Sequence, residues 1–276
     1  MVAGEVWWIT GASSGIGEAI AQAAAGQGAR LILSGRNQAE LDRVANLCGG
    51  FDKCLILPFE ATEFAAIPAL VDKACEWAGR IDCLVNNAGI SQRSLAVETE
   101  FSVYQRIIDV DLMAPIALTQ AVLPHMIAAG GGRLIAISSV AGVAGVPLRS
   151  AYCAAKHGVI GYFDSVRAET AHLGISVHVI APGSIKTNVS RNALTADGSV
   201  RGESDAAIEN GIAAGEAAAM IMDAVAQGQR ELVIAQGAEA RLAQGRGVER
   251  DPVFDTMAGL MQAGYAQQMA ATKATN

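Results

Sequence analysis

Ser139, Tyr152 and Lys156 are residues whose types and spacing can move a proton. Tyr152 and Lys156 stand four apart, and Ser139 precedes the tyrosine by thirteen positions, at the end of an apolar, β-prone run. On a helix, residues four apart share a face, so the ammonium and the phenol lie side by side. A neighbouring cation favours the phenolate. A tyrosine tuned in this way gives a proton to, or takes one from, a carbonyl or alcohol oxygen. The spacing alone arises often by chance, so its weight depends on the elements that would position it.

Those elements alternate. Short β-prone runs at Val6–Thr10, Leu31–Ser34, Cys54–Leu57, Cys83–Asn86, Arg133–Ser138, Ser176–Ile180 and Glu231–Ile234 are separated by helical patterns. The helical patterns include Ile16–Gln27, Gln38–Leu47, Thr62–Ala78, Phe101–Ala129 and Ala151–Leu173. Most of the strand runs are nearly continuous in apolar residues, as in a parallel sheet covered on both faces. The alternation predicts right-handed βαβ units and an α/β fold, a doubly wound parallel sheet of about seven strands with helices on both faces.

A glycine-rich turn follows the first strand and opens an Ala-rich helix. It reads Thr10-Gly11-Ala12-Ser13-Ser14-Gly15-Ile16-Gly17. Glycines here permit a tight turn and bring the backbone close to a pyrophosphate, which the helix N-terminus attracts. Gly11, Ser13, Ser14, Gly15, Ile16 and Gly17 are therefore candidate dinucleotide contacts. The second strand ends Ser34-Gly35-Arg36, with no acid at the corner where one would take the ribose hydroxyl of NAD. Arg36 suits the 2′-phosphate of NADP, so NADP(H) is favoured and NAD(H) stays open. The plainer reading of Arg36 is a solvated strand end.

Composition bounds the rest. A chain of 276 residues, 51% hydrophobic and 17% charged, fits one large domain with a sizeable core. A net charge of −7 argues against a general nucleic-acid or anionic-membrane binder. The opening MVAGEVWWIT lacks a basic segment and an apolar signal core, so a cytoplasmic protein is expected. Leu112–Gly132 is free of acids and bases but contains Pro115, Gln120, Pro124 and His125, which suits a buried helix rather than a membrane span. Cys48, Cys54, Cys75, Cys83 and Cys153 form an odd set without C-x-x-C spacing and read as free thiols. The four histidines lack metal-ligand spacing, and no metal is expected.

With these motifs assembled, the chain resembles the short-chain dehydrogenase/reductase family from about Val6 to about Ile234. The resemblance rests on T-G-x-x-x-G-I-G at Thr10–Gly17, N-N-A-G at Asn86–Gly89 and S-S-V-A-G at Ser138–Gly142. Y-x-x-x-K at Tyr152–Lys156 and P-G-x-I-x-T at Pro182–Thr187 complete the set. It implies Tyr152 as general acid/base, Ser139 as hydrogen-bond donor to the reacting oxygen, and Lys156 as the residue that tunes Tyr152 and holds the nicotinamide ribose. It further implies cofactor contacts from Asn87, Ala88 and Gly89, and from Pro182, Gly183, Ile185 and Thr187. Of the two adjacent serines, Ser139 has the family's spacing and Ser138 reads as structural.

Two positions depart from the family pattern. Glu60, followed by Ala61, stands where the family has an aspartate that reads the adenine amino group. Asp111 stands where it has a catalytic asparagine. Pro115 bears on the second departure: lacking an N–H, it cannot bond the carbonyl of residue 111, so the helix should be disturbed there and that carbonyl released. In the family this carbonyl seats a relay water.

On the substrate side, Val140–Pro147 is small and apolar and reads equally as pocket wall or as core packing. Arg93 could meet an anion at the mouth, with an exposed arginine as the plainer reading. The polar stretch Asn188–Gly211 matches the family's substrate lid, placed at 188–213 within a catalytic domain of residues 1–235. Residues 236–276 form an extension. There Val253, Met257, Met261, Tyr265 and Met269, with Phe254 and Leu260, trace an amphipathic stripe expected to pack on its own domain, with pocket closure or subunit docking as alternatives.

The expectation is an oxidoreductase moving a hydride between NADP(H) and a ketone or alcohol on a mainly apolar small molecule. An NAD-dependent alcohol dehydrogenase and a non-catalytic dinucleotide-binding regulator are the alternatives. A homodimer or homotetramer is implied by the resemblance, through the helices at Phe101–Ala129 and Ala151–Leu173.

Overall fold

The computed structural model describes residues 2–245, together with positions 259, 263, 264 and 267. In chain order the elements are β1 (Val6–Thr10), α1 (Gly15–Gly26), β2 (Arg30–Ser34), α2 (Gln38–Leu47), β3 (Cys54–Ile56), α3 (Ile67–Ala78) and β4 (Cys83–Asn86). Then come α4 (Phe101–Ile108), α5 (Ala114–Ala128), β5 (Gly132–Ile137), α6 (Val140–Val143), α7 (Ser150–Thr170) and β6 (Ile175–Pro182). The chain continues through β7 (Ile185–Lys186), α8 (Ala206–Glu209), β8 (Ile212–Ala213), α9 (Ala214–Ala226), β9 (Glu231–Ile234) and α10 (Gly237–Gly245).

Seven strands form one parallel sheet in the order β3-β2-β1-β4-β5-β6-β9. The chain leaves β1 in one direction and β4 in the other, so a crevice opens between their carboxyl ends, where ligands of such sheets bind. Successive strand residues point to opposite faces, and each face carries its own core. Trp7, Ile9, Leu31, Leu33 and Val85 pack with α1, α2 and α9 on one side. Trp8, Ile32, Leu84 and Leu134 pack with α3, α5 and α7 on the other. Trp7 and Trp8 are fully buried, and each indole N–H has a partner, Glu5 Oε2 at 2.8 Å and Ser34 Oγ at 2.9 Å.

All seven expected strands are present. The sixth runs longer than expected, Ile175–Pro182 rather than Ser176–Ile180, because β9 pairs with Ala181 and Pro182 at its far end. The helix expected at Phe101–Ala129 is interrupted: residues 109–113 form a single π-turn between α4 and α5. The 28-residue run Phe101–Ala128 is long and apolar enough to cross a membrane by length and composition. Here its Leu118, Val122 and Met126 are buried in the core. The start of the extension, α10, rests against α6 and β9. The amphipathic stripe from Val253 to Met269 lies outside the described residues.

Candidate active site

The glycine turn is built around β1 and β4. Thr10 Oγ1 donates to Val85 O and accepts from the N–H groups of Asn87 and Ala88, joining the carboxyl ends of the two strands. Asn87 Nδ2 donates to Thr10 O at 2.9 Å and Gly11 O at 3.2 Å. Gly11 has φ +63°, and a Cβ there would lie 2.8 Å from Asn87 Nδ2 and 2.9 Å from Ala88 Cα. Both the backbone sign and the space exclude a side chain, which leaves a cradle of bare backbone. The first-turn N–H groups of α1 have no intrahelical partner, so this cradle suits an anion.

A cavity of about 490 Å³ runs from this cradle across the sheet's carboxyl edge. Gly11, Ser13, Ser14, Gly15 and Ile16 line one end, with Arg36, Glu60 and Ala61 at its corner. Asn87, Ala88 and Gly89 line it as well, as do Pro182, Gly183, Ile185 and Thr187, with Thr187 beside Gly15. Ser139, Tyr152, Lys156 and Asp111 line the same space. Gly17, expected with them, is buried beneath the wall, where it lets α1 sit close under Gly11 and Asn87. Residues expected from positions 11 to 187 thus converge on one groove whose bare-backbone cradle fits a dinucleotide.

At the corner, Arg36 Nη1 is 3.7 Å from Glu60 Oε2, and the arginine is largely exposed. Arg43 of α2 is held by Glu18 and Glu40, leaving Arg36 to face the corner.

The reactive end is organised by α7 and the π-turn. Lys156 Nζ lies 5.5 Å from the centroid of the Tyr152 ring, so the two side chains share a face as the spacing predicts. Nζ donates to Ile137 O at 3.2 Å and stands 3.2 Å from Asp111 Oδ2. Both side chains of this ion pair are buried. Asp111 Oδ1 accepts from the Ile90 N–H at 2.8 Å, whereas Oδ2 has no aligned hydrogen bond. Burial pushes the Asp111 carboxyl up, and the Lys156 charge pulls part of the way back. Burial works to weaken the Lys156 ammonium, but the Asp111 carboxylate and the Tyr152 oxygen outweigh it and hold the group above its ordinary range. A Cβ on Gly89 would lie 2.9 Å from Asp111 Oδ2 and 3.3 Å from Lys156 Nζ, so only glycine lets the strand end pass this pair.

The π-turn follows from Pro115. The Ala114 N–H bonds the carbonyl five back, at Asp109, and Pro115 has no N–H to offer residue 111. Ser139 caps α6, its Oγ accepting from the Ala141 N–H at 3.1 Å and donating to Pro182 O at 3.2 Å. Ser138 turns away and donates to Lys156 O at 2.9 Å, which makes it a strut for α7.

The substrate side contains residues that were not anticipated. Arg106 and Val110, from α4 and the π-turn, line the cavity together with Val189, Asn192, Leu194, Val200 and Ile208 of the 188–213 segment. Val140–Pro147 does not line it: Val140, Ala141, Gly142 and Ala144 are buried, and α6 packs on α7. Arg93 is not exposed. Its side chain is 6% accessible and pairs with Asp205, 112 residues away. Cys153 is buried, its Sγ beside the Val146 backbone, and all five cysteines are free thiols.

The family described as short chain dehydrogenase matches residues 5–197. Dehydrogenase/reductase SDR family member 7 of Homo sapiens is 40% identical over 198 residues, 70% of this chain. The chain spans 58% of that relative's length. A short-chain dehydrogenase from Streptomyces avermitilis superposes with a TM-score of 0.77 at 26% identity, covering 99% of this chain and 98% of that one. A short chain dehydrogenase/reductase from Burkholderia phymatum, solved in complex with NAD, has a TM-score of 0.78 over 89% of this chain and 92% of its own. At 22% identity that likeness shows the shared fold.

Proposed function

The chain belongs to the short-chain dehydrogenase family of oxidoreductases, and from that premise we propose that it interconverts a ketone or aldehyde and its alcohol using NADP(H). The observation that carries the proposal is the meeting of Ser139, Tyr152 and Lys156 in the cavity that also holds the Gly11–Ile16 cradle.

When bound, the nicotinamide supplies the hydride for reduction or accepts it in oxidation. In the reducing direction Tyr152 gives its phenolic proton to the carbonyl oxygen, which becomes the alcohol. Ser139 Oγ donates to the same oxygen once its hydroxyl turns from Pro182 O, and stabilises the charge gathering there. Lys156 stabilises the phenolate that remains. Its own charge is sustained by Asp111, which the family's asparagine would not do. The main-chain carbonyl of Asp111, released by Pro115, is the seat for a water that returns the proton. Asn87, Ile185 and Thr187 would hold the nicotinamide half, and Ser13, Ser14 and Arg36 the phosphate end.

Arg36 supports NADP(H), since its guanidinium is the cation facing the corner beyond β2. The Glu60 carboxylate 3.7 Å away offsets part of that charge and supports a second reading, NAD(H) with an alcohol as substrate. Val110, Leu194, Val200 and Ile208 favour a substrate with an apolar body. Five free thiols fit a reducing, cytoplasmic setting. Phe101 and Val97, 74% and 90% exposed on and just before α4, suit pairing with a second copy.

The test is Tyr152→Phe, assayed with NADPH and a panel of ketones and aldehydes. The variant should bind NADPH within about twofold of the parent and lose about 10²–10⁴ in kcat, the usual weight of a positioned acid. Retention of kcat would overturn the role of Tyr152.

A further inference from the structure

Outside the reactive groups, a buried charge cluster sits behind the substrate side. Three guanidiniums converge on the Asp205 carboxylate, and each comes from a different part of the wall. Arg93, in the loop after β4, donates to Asp205 Oδ2 through Nε at 2.7 Å and Nη2 at 2.6 Å. Arg149, immediately before α7, reaches the same oxygen at 3.4 Å. Arg201, within the 188–213 segment, bonds Oδ1. The side chains of Arg93, Arg201 and Asp205 are each no more than 6% exposed.

The contacts around this carboxylate fix the same three pieces. Ser190 Oγ accepts from the Asp205 N–H and from Arg201 Nη1, folding the segment onto itself. Arg93 N–H donates to Leu194 O and Leu194 N–H to Ser91 O, so the segment is stitched to the loop after β4. Ser94 N–H donates to Leu148 O, and Gln92 Oε1 accepts from the Ala151 N–H, tying that loop to the start of α7. Leu148 has φ +63°, which among the described residues no other non-glycine shows as positive. A backbone held in that region needs surroundings that over-determine it. Tyr152 follows Arg149 by three residues, in the first turn of α7.

Burial works to raise the Asp205 carboxyl, but the Arg93 charge and the Arg201 and Arg93 hydrogen bonds outweigh it and keep the group well below the ordinary carboxylate range. Burial, followed by the charge of Arg149, brings the Arg93 guanidinium down to about 10, so it remains a cation at neutral pH. Remove the anion and three cations face one another, with Glu203, near Arg201 at 3.6 Å, the remaining acid of the cluster.

We propose that Asp205 is a positioning residue for carbonyl reduction: it latches the 188–213 segment over the substrate side and locks that segment to the turn presenting Tyr152. The inference rests on the proposed function, because it assigns the latched wall to substrate binding.

The test is Asp205→Asn in the full chain, which keeps the shape and removes the charge. Three quantities are read: NADPH Kd by fluorescence titration, kcat and KM for a reduced carbonyl, and amide hydrogen exchange across residues 190–204. The expected result is an unchanged NADPH Kd within twofold, a KM raised at least tenfold, and exchange of the segment at least tenfold faster. Unchanged KM, with or without faster exchange, overturns the proposal. Should Asp205→Asn fail to fold, Arg149→Gln cuts only the partly exposed tie to α7. It should lower kcat at least threefold with segment exchange preserved, and an unchanged kcat overturns the lock. If the parent binds NADPH but reduces no carbonyl, the assignment of the reaction fails, and exchange in Asp205→Asn still decides whether the latch exists.

Discussion

Asp111 Oδ2 stands 3.2 Å from Lys156 Nζ, and neither side chain is accessible to solvent by more than 5%. An asparagine at this position would hydrogen-bond the lysine without adding charge. The carboxylate adds a full negative charge in a place where water cannot screen it. That charge favours the ammonium form of Lys156, the group that supports the proposed acid Tyr152.

Asp111→Asn should therefore move the pH optimum of reduction toward acid, by about one unit if the loss is about 1.4 kcal/mol. Stability shifts in the same sense. Because Lys156 is raised in the folded state, its contribution is present below the ordinary ammonium range and is lost as pH climbs through the higher folded value. Without Asp111 burial works against the ammonium with less to oppose it, so that contribution shrinks. Asp111 itself is raised by burial, so its contribution is present below the ordinary carboxyl range and disappears as pH rises; asparagine carries no such dependence. Paired pH–rate curves, with urea midpoints from about pH 8 to 11, check both, and superimposable curves would show the acid to be idle.

The proposed preference for NADP(H) rests on Arg36. Arg36→Ala should cut the NADP(H)-over-NAD(H) preference by about 10- to 100-fold, the range set by about 1.5–3 kcal/mol for hydrogen bonds to a charged group. Glu60→Gln should raise NADPH affinity by no more than about fivefold, since an exposed ion pair is worth about 0–1 kcal/mol. Fluorescence titration of both cofactors measures both. A preference unmoved by Arg36→Ala would transfer the choice to other residues.

Glu239 of α10 accepts from the Ser184 N–H through Oε2 at 2.7 Å and from Ser184 Oγ through Oε1 at 2.8 Å. Ser184 sits between Gly183 and Ile185, both of which line the cavity. The first helix of the C-terminal extension thus pins the turn at 183–185 on the cavity wall. Glu239→Ala should raise the cofactor Kd about tenfold, equivalent to about 1.4 kcal/mol, while Glu239→Gln should keep part of the effect. Calorimetric titration decides, and a Kd unchanged in the alanine variant would reduce the contact to packing.

The sheet was legible because both its faces are buried: Trp7-Trp8-Ile9 and Leu31-Ile32-Leu33 are apolar without a break, which helices on a single face would not require. The Gly11 turn and the shared face of Tyr152 and Lys156 were legible because their geometry depends on neighbours within a few positions. What stayed hidden depends on distant partners. Nothing near Arg93 announces Asp205, 112 residues on, so an arginine in a loop reads as solvated. Glu239 lies 55 residues from Ser184 and follows the last strand, where no motif marks it. Val140–Ala144 has the composition of a pocket wall and of a core alike, and the contact of α6 with α7 settled it as core.

The extra residue in the turn at 109–113 gives one long helix two orientations. A π-turn rotates everything beyond it by about one residue's worth of twist, roughly 100°. Arg106 and Val110 can thereby face the substrate space, while Leu118, Val122 and Met126 face the sheet. A change at the cavity-facing Arg106 leaves the interior that the trailing half supports untouched, whereas Val103 and Ile107 of the leading half are held in a core of their own with Ala151, Ala155 and Leu194.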